Sequence, residues 1–154
     1  MAGGGSKLVS DNRKARFEYE LLEKFEAGMV LVGTEIKSLR DGKLSLVESY
    51  CRIDPKGEVY LMDAHIAPYG FGNRANHDPL RPRKLLLHKK EIHKLIGKVR
   101  EKGLTLVPTK VYFKAGRAKI EIAVAKGKKI HDKRETIKKR DMERDARREI
   151  RNMV

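Results

Sequence analysis

A chain of 154 residues with 36 Lys and Arg against 21 Asp and Glu has the length of one domain and a formal net charge of +15. An excess of this size predicts a polyanionic partner, with nucleic acid ahead of an acidic membrane surface. The single cysteine, Cys51, excludes an internal disulfide, and the lack of apolar runs long enough for a signal peptide or a membrane helix predicts a cytoplasmic protein.

The first third of the chain predicts a loose start, one helix and one strand. Residues 1–11 are rich in Gly and Ser and are expected to be flexible. Residues 12–27 carry apolar side chains at helical spacing, and Gly28 would end that helix. The helical face consists of Phe17, Leu21, Leu22 and Phe25. Residues 29–42 contain several β-branched side chains and are expected to form a strand.

The remainder predicts two hairpins, a loop and a second helix. Residues 50–66 alternate in polarity around a Pro-Lys-Gly turn, and residues 104–125 alternate around an Ala-Gly turn. Pro108 predicts an edge or a bulge in the second hairpin. Residues 68–83 have no periodicity and predict a long irregular loop, whereas 84–103 have apolar residues at helical spacing.

The last 29 residues differ in composition from the rest. Residues 126–154 contain twelve Lys or Arg and six Asp or Glu, which gives +6 of the total charge. Their apolar residues are too sparse for a core, so we expect a basic tail that is disordered alone and helical against a partner. Residues 12–125 predict a mainly β domain, a small antiparallel OB-like barrel with two or three associated helices.

Catalytic and metal-binding patterns are weak. The Gly-rich stretch at residues 3–7 lacks the spacing of a phosphate-binding loop. No two histidines have the spacing of paired metal ligands, and no triad or carboxylate pair stands out. The histidines are His65, His77, His88, His93 and His131. We therefore expect neither an enzyme nor a cofactor.

Three basic clusters favour RNA or DNA as the partner. They lie at residues 12–16, 81–84 and 126–134, and although any one could be a solvated surface, their number and the net charge favour phosphate binding. Aromatic residues make up only 6% of the chain, so recognition of folded RNA by shape fits better than base stacking. Glu26 is most simply a solvated residue in the last turn of a helix; its alternative role is to accept a hydrogen bond from a base edge or a 2′-hydroxyl.

Five blocks occur in order over residues 12–134: NRKARFEYELLEKFEAG, GTEIKSLRDGK, DPLRPRKLLLHKKEI, KGLTLVP and VAKGKKIHDKR. Together they resemble the small protein B family, the tmRNA-binding proteins of bacterial trans-translation. The resemblance implies a monomer that binds the tRNA-like domain of tmRNA in place of the missing anticodon arm. The complex would reach stalled ribosomes with elongation factor Tu and GTP through alanyl-tmRNA, and the nascent chain would then be tagged for proteolysis.

The resemblance also assigns residues to two surfaces. The residues implied for tmRNA binding are Asn12, Arg13, Lys14, Arg16, Glu26, Lys84, Leu86 and Lys119. The tail would contact small-subunit ribosomal RNA in the decoding centre and continue as a helix in the empty mRNA channel. Its implied contacts are Lys126, Gly127, Lys128, Lys129, His131, Asp132, Lys133 and Arg134. Among these, Gly127 would supply a turn and His131 would stack on an exposed base.

Two other classes of function stay open from the residues alone. A ribosomal or general RNA-binding protein with an OB-like barrel would bind many folded RNAs with equal affinity. An RNA-processing enzyme would need a metal site or an acid–base pair. A membrane-binding basic tail is the least favoured, because the tail has no broad apolar face.

Overall fold

The computed structural model describes residues 6–70, 76–101 and 103–128. The strands in these ranges are β1 (Ser6–Asp11), β2 (Tyr19–Met29), β3 (Leu44–Ser45), β4 (Tyr50–Ile53), β5 (Val59–Met62), β6 (His65–Ile66), β7 (Arg83–Leu86), β8 (Leu104–Lys114) and β9 (Arg117–Gly127). The helices there are α1 (Arg13–Glu18), α2 (Gly33–Arg40) and α3 (Lys89–Val99).

Seven strands form one antiparallel sheet in the order β1-β8-β9-β2-β7-β5-β4, and β3 pairs with β6 beside it. β4, at one end of this order, also contacts β8 near the other end, so the sheet curls around its inner face. That face holds the core, in which Leu61, Ile120 and Ile122 are fully buried. The predicted fold class, a mainly antiparallel β domain with two or three associated helices, is confirmed, and the described residues contain three helices.

The helix predicted over residues 12–27 is wrong beyond α1, which is six residues long and is followed directly by β2. Phe17, Leu21 and Phe25 are spaced by four, and four positions share a face in a strand as well as in a helix. Leu22 distinguishes the two, because only a helix would bury it with the others. In the structure Leu22 is 51% exposed and lies where the pairing of β2 with β9 shifts register.

The strand predicted over residues 29–42 is also wrong, because α2 occupies most of this range. Oε1 of Glu35, at the third position of the helix, accepts a hydrogen bond from the backbone N–H of Val32 at 3.0 Å. Glu35, Ser38 and Leu39 are the buried residues of α2, at spacings of three and one. This is the burial pattern of one helical face, in which an acid takes a position usually held by an apolar residue.

The second predicted helix exists but begins later than expected. Residues 84–86 belong to β7, where Leu85 is buried and the next residue is exposed. α3 starts at residue 89, and its apolar face packs on the core through the fully buried Leu95, with Ile92 and Val99 beside it. The prediction of a helix is therefore confirmed for the amphipathic part alone.

Both predicted hairpins are confirmed, and the turn chemistry explains them. Oδ1 of Asp54 accepts hydrogen bonds from two backbone N–H groups of the β4–β5 turn, at 3.0 and 2.8 Å. Ala115 and Gly116 both have positive φ, 50° and 76°, as a two-residue hairpin turn requires. The bulge expected from Pro108 is present, since the register of β8 against β9 shifts between Pro108 and Lys110.

The ends of the domain lie further out than predicted. Residues 6–11 were expected to be flexible, yet they form β1 and pair with β8 through backbone hydrogen bonds, which a Gly/Ser-rich composition does not reveal. The predicted boundary at residue 125 is also too early, because β9 continues to residue 127. The segments 1–5 and 129–154 lie outside the described residues, and so does the predicted state of the tail.

Candidate nucleic-acid interface

Glu26, Leu86 and Lys119 meet on the outer face of the sheet. Gly28 of β2 lies opposite Lys119 of β9 on one side and opposite Leu86 of β7 on the other. A Cβ added at Gly28 would be 3.5 Å from Leu86 Cβ and 3.8 Å from Lys119 Nζ. Glu26 is two residues earlier in the same strand and therefore shares this face. The three residues that the family resemblance assigned from distant parts of the sequence form one surface.

Glu26 is an ionised acceptor on this surface and is not a residue of a helix. The hydroxyl of Tyr112 donates to its Oε2 at 2.5 Å, and Lys114 Nζ lies 3.5 Å from the same oxygen. The Tyr112 hydrogen bond, together with Lys114 and the charge of Lys119, lowers the pKa of Glu26 and outweighs the opposing effect of burial. Burial and the bond to Glu26 raise the pKa of Tyr112, so its hydroxyl keeps its proton. Glu26 thus carries a full negative charge among cations at neutral pH.

A groove of about 520 Å³ opens beside this carboxylate, between β1 and the outer face of β8 and β2. It is lined by Ser6, Leu8, Asp11, Arg16, Glu26, Lys110, Tyr112 and Lys114. Lys110 Nζ lies 5.7 Å from the centroid of the Tyr112 ring, a cation–π distance. The groove combines cations that can bind phosphate, an aromatic ring and carboxylates that can accept from a donor group.

Asn12 has a structural position in the predicted binding block. Only 6% of it is exposed, its Oδ1 accepts from the backbone N–H of Ala15, and its Nδ2 donates to the carbonyl of Pro108 at 2.8 Å. It therefore caps α1 and ties the helix to the bulge of β8. Its contribution to RNA binding stays a prediction. Because Asn12 is buried, that contribution would consist of holding the neighbouring basic side chains of α1 in place.

The other three residues of that block lie exposed on α1. Lys14 Nζ is 3.2 Å from Oε1 of Glu48, and Arg16 forms an ion pair with Asp11. Surface pairs of this kind contribute little to stability and exchange readily for another anion. Arg13, Lys14 and Arg16 can therefore face a phosphate backbone, and Arg16 also lines the groove.

The basic cluster at residues 81–84 is largely a structural feature, contrary to its interpretation as an RNA contact. Arg83 is fully buried, and its guanidinium donates to Glu35 Oε2 at 2.7 Å, to the carbonyl of Ala64 at 2.6 Å and to that of Pro79 at 3.1 Å. Arg81 donates to the other oxygen of Glu35 at 2.6 Å. Two of the three basic residues in this cluster, Arg81 and Arg83, therefore bind one buried carboxylate, that of Glu35.

The position of Glu35 in α2 indicates that basic residues such as Arg81 and Arg83 must lie nearby. Burial disfavours the charge of Glu35, but the hydrogen bonds from Arg81, Val32 and Arg83 outweigh it and lower its pKa. An acid at a core position of a helix requires a cation nearby, because an unpaired buried charge is very costly. Reading residues 33–40 as a strand concealed that requirement.

Lys84 and Leu86 are the members of β7 that reach the surface. Lys84 Nζ lies 3.2 Å from Glu58 Oε1, and the hydroxyl of Tyr60 donates to Glu58 Oε2 at 2.8 Å. Leu86 is 54% exposed, which is unusual for a leucine in a central strand. Its exposure leaves an apolar contact for a ligand beside Lys119.

A second groove of about 310 Å³ surrounds Leu86 and brings in two cations that the sequence did not single out. It is lined by Gly28, Met29, Leu31, Ile36, Arg40, Leu86, Phe113, Gly116, Arg117, Ala118 and Lys119. Arg117 could have been found from the hairpin, since it lies two residues before Lys119 on the same face. Arg40 could not, because its position depends on α2.

The root of the tail lies at the opposite end of β9 from Lys119. Gly127, predicted to supply a turn, is the last residue of β9, and the backbone N–H of Lys128 donates to the carbonyl of Glu18 at 2.9 Å. Gly127 lies eight positions after Lys119 in the strand, or about 26 Å away at roughly 3.3 Å per residue. Lys126 and Lys128 thus start the predicted ribosome-contacting segment, whose residues from 129 onward lie outside the described part of the chain.

Within the described ranges, no group of three His, Cys, Asp or Glu residues could hold a metal ion. None of the helices in those ranges is long and apolar enough to cross a membrane.

Comparison with known proteins gives the family. The family model described as "SmpB protein" matches residues 9–152. The chain belongs to the SmpB family. Members similar to it include the "SsrA-binding protein" of Desulforudis audaxviator, 58% identical over 98% of both chains, and that of Geobacter sulfurreducens, 56% identical over 96% of this chain and 95% of the relative. The solved SmpB structure described as "tmRNA-SmpB: a journey to the center of the bacterial ribosome" is 54% identical to it, covers 79% of this chain and 85% of its own, and has a TM-score of 0.66.

Proposed function

We propose that this protein binds the tRNA-like domain of tmRNA and promotes its accommodation in stalled ribosomes during trans-translation, as an RNA-binding protein without catalytic activity. The observation that carries the proposal is the convergence of Glu26, Leu86 and Lys119 on one outer face. Relatives at 56 to 58% identity are called SsrA-binding proteins, and the similar solved structure concerns tmRNA and SmpB, which supports the same partner.

The chemistry of the face suits a folded RNA. Arg16, Lys110 and Lys114 border one groove and Arg117 and Lys119 the other, so that cations flank the acceptor and the apolar contact on both sides. Each cation can neutralise a phosphate and release counterions, which makes affinity depend on salt. Glu26 and Leu86 add contacts that a phosphate cannot satisfy, and these provide selectivity.

The tail serves the ribosome in this proposal. It leaves β9 about 26 Å from Lys119 at the usual strand rise, so the RNA-binding face and the root of the tail do not compete for one ligand. Residues 126–134 contact small-subunit ribosomal RNA in the decoding centre, and the remainder becomes helical in the empty mRNA channel. The protein acts as a cytoplasmic monomer and arrives with elongation factor Tu and GTP through alanyl-tmRNA.

A truncation tests this division of roles. The full chain and a chain ending at residue 128, which keeps all of β9 and its bond to Glu18, are titrated with the tRNA-like domain at two salt concentrations. An ordinary tRNA serves as competitor. Both proteins should bind the tRNA-like domain selectively, whereas only the full chain should support tagging on stalled ribosomes. Loss of binding on truncation would contradict the proposal, and equal competition by tRNA would favour a general RNA-binding protein.

A further inference from the structure

Two Tyr–Glu–Lys groups lie on the sheet, and they differ in one respect. In the group of Tyr60, Glu58 and Lys84, the tyrosine and the lysine bond different oxygens of the carboxylate, at 2.8 and 3.2 Å. In the group of Tyr112, Glu26 and Lys114, both partners contact Oε2, at 2.5 and 3.5 Å. Within the described residues, no hydrogen bond reaches Oε1 of Glu26. Both oxygens of the first carboxylate have a partner, while the second carboxylate keeps one oxygen without a partner beside the groove.

We propose that Tyr112 is a positioning residue, which fixes Glu26 so that its free Oε1 accepts a hydrogen bond from an N–H or O–H donor of a nucleotide in the groove. The inference rests on the proposed function and assigns a role to a residue that the sequence did not single out. The donor is a base amine or imine, or a ribose 2′-hydroxyl, since these are the donors that RNA offers.

Glu26 needs such a partner because it lies exposed on a strand among cations. A glutamate side chain without a fixed partner has several rotamers. Both of its oxygens could then be occupied by partners within the protein, as both oxygens of Glu58 are. The tyrosine hydroxyl is on a partly buried ring with only two side-chain torsions, so it holds one oxygen at a defined place at low entropic cost. Lys110, at a cation–π distance from that ring, further restricts it.

The charge pattern of the groove explains why a donor is selected. Arg16, Lys110 and Lys114 attract phosphates, which would bind with no regard to register. Asp11, the other acid in the lining, forms an ion pair with Arg16, whereas Glu26 is held through Oε2 by the Tyr112 hydroxyl. A phosphate or a base acceptor at Oε1 of Glu26 would be repelled, and a donor would be bound, so the site discriminates by repulsion as well as by attraction.

A double-mutant cycle on the full chain tests the inference. Affinities for the tRNA-like domain of tmRNA are measured at fixed salt for the unmodified protein, Tyr112→Phe, Glu26→Gln and the double variant. Tyr112→Phe should weaken binding about fivefold to tenfold, as expected for one charge-assisted hydrogen bond at a partly exposed site. In the Glu26→Gln background the same change should cost less than about twofold, because Tyr112 acts through Glu26.

Tyr60→Phe is the matched control, since it removes a hydroxyl from the Tyr–Glu–Lys group in which both carboxylate oxygens have a partner, and it should stay within about twofold of the unmodified protein. The slope of log affinity against log salt should be unchanged in Tyr112→Phe, because no phosphate contact is lost. Additive losses, an unchanged affinity for Tyr112→Phe or an equal loss for Tyr60→Phe would overturn the inference.

The donor itself can be located with transcripts of the tRNA-like domain in which sparse substitutions each remove one base amine, one base imine or one 2′-hydroxyl. A substitution that weakens binding to the unmodified protein and not to Glu26→Gln identifies the removed group as the donor. Equal interference with both proteins at every position would overturn the inference. Failure of the unmodified chain to bind the domain would instead overturn the proposed function, which the inference requires.

Discussion

Arg83 Nε donates to Oε2 of Glu35 at 2.7 Å, and neither side chain is exposed. The two residues are 48 positions apart in the sequence, so their contact joins α2 to β7. The carbonyls of Ala64 and Pro79 accept further hydrogen bonds from the same guanidinium. The contact therefore organises the part of the fold that presents Leu86.

Glu35→Gln should destabilise the protein by about 3 kcal/mol, because it leaves Arg83 buried without its counter-charge. Urea unfolding followed by circular dichroism measures the change in the free energy of unfolding. Glu58→Gln is the control, since the exposed Glu58–Lys84 pair should contribute less than about 1 kcal/mol. A similar small loss in both variants would contradict the structural role of Glu35.

The same acid predicts a loss of stability at low pH. The pKa of Glu35 is lower in the folded protein than in the unfolded chain, so its stabilising contribution is complete above the unfolded value of about 4.3. That contribution disappears as the pH falls through the lower folded pKa. The stability of Glu35→Gln should therefore change less steeply than that of the unmodified protein as the pH falls below the unfolded value of about 4.3. Parallel stability curves for the two proteins would show that Glu35 is not the titrating group.

Leu85 and Leu86 are neighbours with opposite environments, 2% and 54% exposed. Leu86→Ala should change the free energy of unfolding by less than about 0.5 kcal/mol but weaken RNA binding several-fold, since it removes an exposed apolar contact. Leu85→Ala should destabilise the domain by about 2 to 5 kcal/mol. Thermal unfolding and an RNA titration on each variant measure both effects. Unchanged RNA affinity in Leu86→Ala would remove this residue from the interface.

Substitutions at Asn12 and Arg13 should also separate an effect on stability from an effect on RNA binding. Asn12→Ala loses the cap of α1 and a buried hydrogen bond, so it should cost about 1 to 2 kcal/mol of stability. Arg13→Ala should leave the free energy of unfolding unchanged. It should reduce the slope of log affinity against log salt by about 1, the change expected for the loss of one phosphate contact. Urea unfolding and titrations at several salt concentrations distinguish them. A stability loss in Arg13→Ala would mean that α1 depends on this residue structurally.

His131→Ala should reduce tagging on stalled ribosomes and leave affinity for the tRNA-like domain nearly unchanged. The proposed stacking of His131 on a base of the decoding centre takes place after tmRNA is bound. Tagging in a reconstituted translation system and an RNA titration measure the two steps separately. A parallel loss of both would contradict the proposed division between domain and tail.

Local turn chemistry made the two hairpins predictable, because Asp54 and the Ala115-Gly116 pair determine their turns without help from the rest of the chain. β2 and α2 were not predictable in the same way. A spacing of four between Leu21 and Phe25 satisfies both a helix and a strand, and the choice is made by pairing with a strand a hundred residues away.

Residues of the candidate site could be predicted where a family motif contains them. They could not be predicted where their role depends on contacts between distant parts of the fold. Glu26 was favoured from its spacing as a solvated residue, and only the family resemblance assigned it to binding. Arg83 belongs to a cluster that looks like an exposed basic patch, and nothing in its immediate sequence distinguishes it from Lys84. The difference comes from Glu35, which the sequence places in another element. Tyr112 has no local signal at all, because its importance depends on cross-strand position.

β9 is hydrogen-bonded to β8 and β2 along most of its eleven residues. Lys119 is near one end of this strand and the root of the tail is at the other. A pulling force between RNA held at Lys119 and a tail held elsewhere would run parallel to the strand and load both ladders in shear. Hydrogen bonds loaded in shear share the force, whereas an edge strand peeled from a sheet breaks them in succession. The central position of β9 therefore makes the domain a mechanically stiff coupling between its two ends.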